Sequence, residues 1–289
     1  MSVNLSQIIF SYDSSRKALK KGEYYLKIDN LTIRDTNEFI SIIGHTGSGK
    51  STLTHLLNRL LIPQRGKLIV DEKEITKRSK LLPIRKKVGL VFQFPEYQIF
   101  EETVLKDVAF GPKNFKLSEP EKLAKEALDI LGISDLSERN PFTLSGGQMR
   151  KVAIAGILAS KPDILVLDEP TVGLDALSKK ELLEFLKDLN ENKHISIVLI
   201  THDMEVVTKY TKRTIVLKKG NVMYDGDSKE LFKDEKLLKD CHLDYPDITK
   251  VMLDLKNKYH LNINPYCYDA TSAFEELKKA LANKGEDHE

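Results

Sequence analysis

The feature that most constrains this chain is an apolar strand, Phe39-Ile40-Ser41-Ile42-Ile43, that runs directly into Gly44-His45-Thr46-Gly47-Ser48-Gly49-Lys50-Ser51. Thr52 to Leu61 then carries leucines at helical spacing. Strand, glycine loop and helix in that order fit GxxxxGK[ST], a loop whose main-chain N–H groups wrap phosphate because glycines let the backbone approach closely. In such a loop Lys50 reaches the outer phosphates and Ser51 ligates Mg2+, while the positive end of the following helix adds its field. Placement after a buried strand separates this match from an ordinary glycine-rich turn.

A second apolar strand, Ile164 to Leu167, ends in Asp168 and Glu169. Two acids after a strand are often a turn or a helix cap. Beside a phosphate loop, at the carboxyl edge of an α/β sheet, they instead suit Mg2+ coordination (Asp168) and a general base toward an attacking water (Glu169). His202 follows another strand, Ile195 to Ile200, and so can share that edge and contact a terminal phosphate. Leu144-Ser145-Gly146-Gly147-Gln148 precedes the helical run Met149 to Ala159. Ser145 caps that run, and two exposed glycine N–H groups make a second anion site. It has no lysine of its own, so it is better explained as offered to another subunit's nucleotide. Tyr12, in Phe10-Ser11-Tyr12-Asp13, serves base stacking or β-layer packing equally well on local grounds.

Around these motifs the pattern is mixed. Val3 to Phe10 and Tyr25 to Ile33 read as strands of a small β layer with a turn-rich basic stretch between them. Lys67 to Val70 and Glu74 to Ile75 form a hairpin, and Val88 to Phe92 a strand. The character changes at Phe94-Pro95-Glu96, and from Glu102 to about Ala159 helical periodicity marks an inserted subdomain. Strands at Ile164 to Leu167, Ile195 to Ile200 and Thr214 to Leu217 alternate with helices at Ser178 to Glu191 and Asp203 to Tyr210, which argues a mostly parallel sheet covered by helices. The tail from Cys241 has two helix-like segments, Ile248 to Tyr259 and Ala270 to Leu281. Residues 1–240 therefore read as one domain, with its helical part about 95–160, and 241–289 as a small helical extension.

Composition excludes several classes. The net charge of +2 carries no basic block, so nucleic acid is not the expected partner. Cys241 and Cys267 lie outside any CxxC or Cys/His cluster and build no disulfide framework, which fits a reducing compartment. No apolar run approaches the roughly 20 residues of a membrane helix, and the N-terminus lacks the pattern of a secretory signal.

The phosphate loop, Leu144-Ser145-Gly146-Gly147-Gln148, Asp168-Glu169, Gly173-Leu174-Asp175 and His202, in this order, resemble the ATP-binding subunits of ABC transporters over about Ser2 to Lys233. The resemblance implies an α/β P-loop NTPase fold of the ABC ATPase type, with an N-terminal antiparallel β layer and an inserted helical subdomain. It also implies two subunits sandwiching two ATP molecules head to tail, each site pairing one phosphate loop with the partner's signature turn. Nucleotide binding then falls to Tyr12, now at the adenine-stacking position, to Gly44, His45, Thr46, Gly47, Ser48, Gly49, Lys50, Ser51 and Thr52, and to Ser145, Gly146, Gly147, Gln148 and Asp175. Glu169, His202 and Gln93 take catalytic roles, and Ser51, Gln93 and Asp168 hold Mg2+. Finer wording, Gly89-Leu90-Val91-Phe92-Gln93-Phe94-Pro95-Glu96, Gln98, Phe100 to Pro112, Asn140-Pro141-Phe142 and Met149 to Ala159, is similar to the energy-coupling factor importers, which take up vitamins or transition-metal ions. That subfamily implies a second, different ATPase, a transmembrane coupling protein and a substrate-binding membrane component as partners, and a peripheral place on the cytoplasmic face of the membrane. Ala176, where proline is frequent after Asp175, is a minor departure.

Conventional homodimeric ABC transporters share this nucleotide chemistry, but the Phe-Pro-Glu-x-Gln run counts against them. The single phosphate loop, and the short stretch between Ser51 and Leu144, count against soluble translation or DNA-repair ABC proteins.

Overall fold

The computed structural model describes residues 2–13, 24–94 and 97–286. The basic stretch at 14–23, and Pro95 and Glu96 of the Phe-Pro-Glu run, lie outside the described residues. The described strands are β1 (Ser2–Phe10), β2 (Leu26–Arg34), β3 (Phe39–Ile43), β4 (Arg65–Val70), β5 (Lys73–Ile75), β6 (Val88–Val91), β7 (Ile164–Asp168), β8 (Ser196–Ile200), β9 (Arg213–Lys218) and β10 (Asn221–Asp227). They form one sheet in the order β5-β4-β1-β2-β10-β9-β3-β8-β7-β6.

Two regimes meet in that sheet. Pairings among β1, β2, β4 and β5 are antiparallel and make the N-terminal layer. From β9 across β3, β8 and β7 to β6 the pairings are parallel. Every residue of β3, β6, β7 and β8 is buried, as parallel strands covered on both faces require. Their continuous apolar runs still alternate: Leu165, Leu167, Ile197 and Leu199 feed one core, while Val166, Val198, Ile200, Ile40 and Ile42 feed the opposite one.

The first of these cores is closed by α3 (Val104–Asn114), α4 (Pro120–Ile130) and α5 (Gly146–Leu158), the inserted subdomain, together with α6 (Ala176–Lys193). The second is closed by α1 (Lys50–Leu57), the β layer and Ile84 of α2 (Leu81–Lys87). Helix α7 (Met204–Tyr210) and α8 (Glu235–Cys241) share a third cluster with Ile43, Val216 and Phe232. Helices α9 (Asp247–Tyr259) and α10 (Ala270–Glu286) close a small core of their own around Met252, Ile263, Cys267 and Ala273. Both cysteines are free, buried thiols, whose pKa burial pushes up, so that the thiolate is disfavoured.

Three local features depart from the sequence expectation. The helix after the phosphate loop stops at Leu57 rather than Leu61. Asn58 donates its side-chain amide to Val88 O, and Arg59 turns the chain at φ 55°, its guanidinium donating to Thr76 O and, at 3.1 Å, to Ser79 O. Strand β10 has no counterpart in the sequence pattern, because its residues are only half-buried or exposed. It forms because Lys219 and Gly220 both take positive φ (47° and 77°), the geometry of a two-residue hairpin turn. Helices α2 and α8, each of seven residues, are likewise absent from the sequence pattern.

Beneath the phosphate loop lies a buried hydroxyl network. Ser41 of β3 meets Thr214 (2.7 Å) and Thr211 (3.1 Å), and Ser228 meets Thr214 (2.8 Å) and Thr211 (2.9 Å). Each polar atom that interrupts the apolar pattern is thereby satisfied.

Candidate nucleotide site

The register brings the candidate residues to one edge. Ile42 pairs with Ile200, Ile200 with Asp168, and Leu167 with Val91. The chain therefore leaves β3, β8, β7 and β6 side by side and delivers Gly44, His202, Glu169 and Gln93 to adjacent loops at the carboxyl ends of parallel strands. Together with His45, Thr46 and Lys50 they line one cavity of about 530 Å3.

The phosphate loop is fixed by its own chain. Gly44 has φ +146°, and a Cβ there would stand 2.2 Å from Leu217 O, so no other residue fits. Ser48 N–H donates to His45 O (3.0 Å), and Gly220 N–H from the β9–β10 turn donates to Ser48 O (2.9 Å). A Cβ on Gly220 would lie 2.2 Å from Tyr25 O, so this clamp also depends on glycine. The Ser48 hydroxyl is buried without a partner among the described residues. Ser51 and Thr52 stand in the first turn of α1, whose Thr52 accepts or donates a 3.0 Å hydrogen bond with the Tyr12 hydroxyl. The Tyr12 ring is exposed and packs edge-on against Phe10 and Tyr25 (centroids 5.0 and 4.9 Å).

Charge is arranged around Lys50. Its ammonium donates to Gly44 O (2.7 Å) and His45 O (3.3 Å). Burial lowers its pKa, and the carboxylates of Glu169 and Asp168 partly restore it. Asp168 is buried at the end of β7. Glu169 takes a left-handed backbone (φ 49°), its N–H donating to Ile200 O at 3.1 Å, a conformation costly for a non-glycine residue. The exposed His202 donates from Nδ1 to Glu169 Oε2 at 2.6 Å. Gln93 follows the edge strand β6, where the Gln98 side chain stands in for a neighbouring strand: its amide donates to Leu90 O (3.0 Å) and its oxygen accepts from Phe92 N–H (2.8 Å). Asp107 steadies the following loop by accepting from Phe100 and Glu101 N–H.

The signature residues stand elsewhere. Ser145 caps α5 in a reciprocal box with Gln148 (3.3 and 3.1 Å). Ser145, Gly147 and Gln148, with Leu174 and Ser178, line a different cavity of about 310 Å3 that shares no residue with the first. Gly146 and Gly147 have ordinary φ; a Cβ added at Gly146 would meet nothing within 4 Å, and one at Gly147 only Leu174 at 3.8 Å. Asp175 caps α6 through Ser178, whose N–H and hydroxyl hold its carboxyl below the usual carboxylate range.

Val172, Met204, His242, Leu243 and Asp244 also line the larger cavity. Sequence reasoning missed them. The last three stand between α8 and α9, at the start of the extension, and carry no motif; only the packing of α8 under Ile43 and Met204 brings them in.

Known proteins share both the sequence and the fold. The profile of the ABC transporter family matches residues 26–172. The chain is 44% identical, over 98% of its length and 99% of the relative's, to the energy-coupling factor transporter ATP-binding protein EcfA2 of Clostridium tetani. Among solved structures it resembles cbiO1 from Clostridium perfringens, part of the ABC transporter complex cbiONQ (TM-score 0.71, 34% identity, covering 89% of this chain and 97% of that one). It also resembles the dimeric ATP-binding cassette MJ0796 bound to ADP and Pi (TM-score 0.67, 33% identity, covering 78% and 98%).

Proposed function

The chain belongs to the energy-coupling factor ATP-binding proteins of the ABC transporter family, and from that premise we propose how its residues do their work. It is an ATP-hydrolysing motor subunit of an energy-coupling factor importer. The observation that carries the residue-level reading is the single cavity shared by the phosphate loop, Lys50, Gln93, Glu169 and His202.

On this reading the loop from Gly44 to Ser51 wraps the phosphates with its N–H groups, and the start of α1 adds its positive end. Lys50 exchanges its loop carbonyls for the β- and γ-phosphates, whose charge relieves the desolvation that lowers its pKa. The adenine stacks on the exposed ring of Tyr12, which Thr52 ties to the loop. Glu169 orients the attacking water and takes its proton, and His202, bonded to Glu169, keeps that carboxylate in place beside the γ-phosphate.

Ser51, Asp168 and Gln93 offer hard oxygen donors and one buried carboxylate, a set that fits Mg2+, which takes few protein ligands and leaves the rest to phosphate and water. When bound there, Mg2+ neutralises phosphate charge as it develops.

The signature turn acts on another subunit's nucleotide. Its glycines meet no crowding within their own chain and need no unusual backbone, which is what a surface kept open for an incoming phosphate requires. The second subunit is a different ABC ATPase. A transmembrane coupling protein docks its cytoplasmic helices in the groove of about 300 Å3 lined by Leu60, Leu82, Phe92, Phe110 and Phe115, beside the exposed Phe94, Tyr97 and Phe100. A substrate-binding membrane component joins through the coupling protein. No described helix is long and apolar enough to cross a membrane. The subunit meets the membrane through the coupling protein, on the cytoplasmic face where ATP is held. Helices α9 and α10, with Val251, Tyr259, Phe274 and Leu281 exposed, form the extension that helps hold the ATPase pair.

Glu169→Gln tests the assignment. In the assembled transporter it should keep ATP binding and lose turnover by roughly a hundredfold to ten-thousandfold; near-normal hydrolysis would remove Glu169 from this role.

A further inference from the structure

The phosphate cavity is not lined by the ATPase motifs alone. His242, Leu243 and Asp244, where the chain leaves α8 for the C-terminal helices, form part of its wall. His242 takes a left-handed backbone (φ 53°) as the C-cap of α8, and its ring meets His45 of the phosphate loop edge-on, with centroids 6.5 Å apart. Leu243 N–H donates to Leu238 O (2.9 Å), and the Leu243 side chain packs on the cluster that contains Ile43, just before the loop, and Met204, just after His202 and Asp203.

Two polar links lead into α9, one from this elbow and one from α7. Asp244 pairs with Lys250 at 2.7 Å. Asp247 N–H donates at 2.6 Å to Glu205, which belongs to the helix that follows His202. The first link starts at a residue of the cavity wall and the second in the helix that follows His202, and both end on the first turn of the same helix. A ligand that moves either starting point relative to the other therefore bears on α9.

We propose that His242 to Asp244 is a positioning elbow of the ATP site: His242 binds at the γ-phosphate end together with His45, and the elbow passes γ-phosphate occupancy to α9. The inference rests on reading the cavity as the triphosphate end of that site. It makes the extension responsive to whether the same chain holds ATP or ADP, in addition to any part it plays in contacting a second subunit.

The test uses the full chain at a concentration where light scattering shows a monomer. His242→Asn removes the imidazole and keeps a residue that tolerates the left-handed backbone. It should weaken ATP about tenfold, within the usual range of coupling between sites, and leave ADP unchanged. In the wild type ATP, but not ADP, should slow amide hydrogen exchange in α9; His242→Asn should abolish that slowing. Lys250→Ala, which leaves the imidazole in place, should keep ATP affinity and lose the slowing, so the second half of the proposal survives any folding failure of the first variant. Equal effects of His242→Asn on ATP and ADP, no effect on either, or an α9 that exchanges alike with ATP and ADP in the wild type would overturn the elbow. Lys50→Ala separates the two readings: if it leaves ATP affinity intact, the cavity is not the triphosphate site; if it abolishes binding while His242→Asn does nothing, only the elbow fails.

Discussion

The turns at Gly44–Ser51 and Ser145–Gln148 are both glycine-rich and both open onto a helix N-terminus, yet different things demand their glycines. At Gly44 the requirement is internal: a Cβ would collide with Leu217 O, and the backbone lies in a region other residues avoid. At Gly146 and Gly147 nothing in the chain objects to a side chain. The first turn is complete within one subunit, with lysine, carboxylates and histidine around a common cavity. The second is capped by a reciprocal Ser145–Gln148 box and, on the reading proposed above, serves a nucleotide held by another subunit.

Substitutions on the two sides should separate cleanly. Lys50→Ala removes the charge at the heart of the self-contained half and should cost a single chain about two orders of magnitude in ATP affinity, as loss of one partner of a desolvated charge pair does, measured by calorimetric titration. Gly147→Ala should leave that affinity untouched and, as an alanine placed in a helix's first turn, hold or raise thermal stability by about 0.5 kcal/mol. Turnover by the assembled ATPase pair should nevertheless fall about tenfold to a hundredfold. A variant that folded less well or bound ATP poorly as a single chain would break the comparison.

Smaller effects test what supports each side. Thr214→Val removes one of the two buried hydroxyls, Thr211 and Thr214, that Ser41 and Ser228 share, and should cost about 0.5–1.5 kcal/mol in denaturant unfolding. The caps differ in kind. Ser145→Ala on the signature side and Asp203→Ala beside His202 should each cost about 1 kcal/mol near neutral pH. Burial pushes the Asp203 carboxyl up, but bonds from Lys179 and Val206 N–H outweigh it and leave the carboxyl below its ordinary value. A depressed carboxylate stabilises above its unfolded pKa, roughly 4, and loses that contribution as pH falls through the folded value. The cost of Asp203→Ala should therefore shrink in acid, whereas that of Ser145→Ala stays constant.

Much of this was legible in the sequence, for a definite reason. Buried parallel strands write continuous apolar runs, and their ends carry the polar residues, so β3, β7 and β8 announce both the sheet and the edge where Gly44, Asp168, Glu169 and His202 gather. Strand β10 escaped because its half-exposed residues lack an apolar alternation, although Lys219-Gly220 held the turn signal. His242 to Asp244 escaped for a stronger reason: membership in the cavity follows from the packing of α8 against Ile43 and Met204, a contact with no local pattern.

On the proposed arrangement the two half-sites of one chain do not serve each other. The decisive experiment is specific ATPase activity of the purified full chain against its concentration, with molar mass followed by light scattering and with a homologous second ATPase added in parallel. No turnover is expected from the monomer, and activity should appear only with a two-chain species. A monomer that hydrolyses ATP at a specific rate independent of concentration would contradict this arrangement.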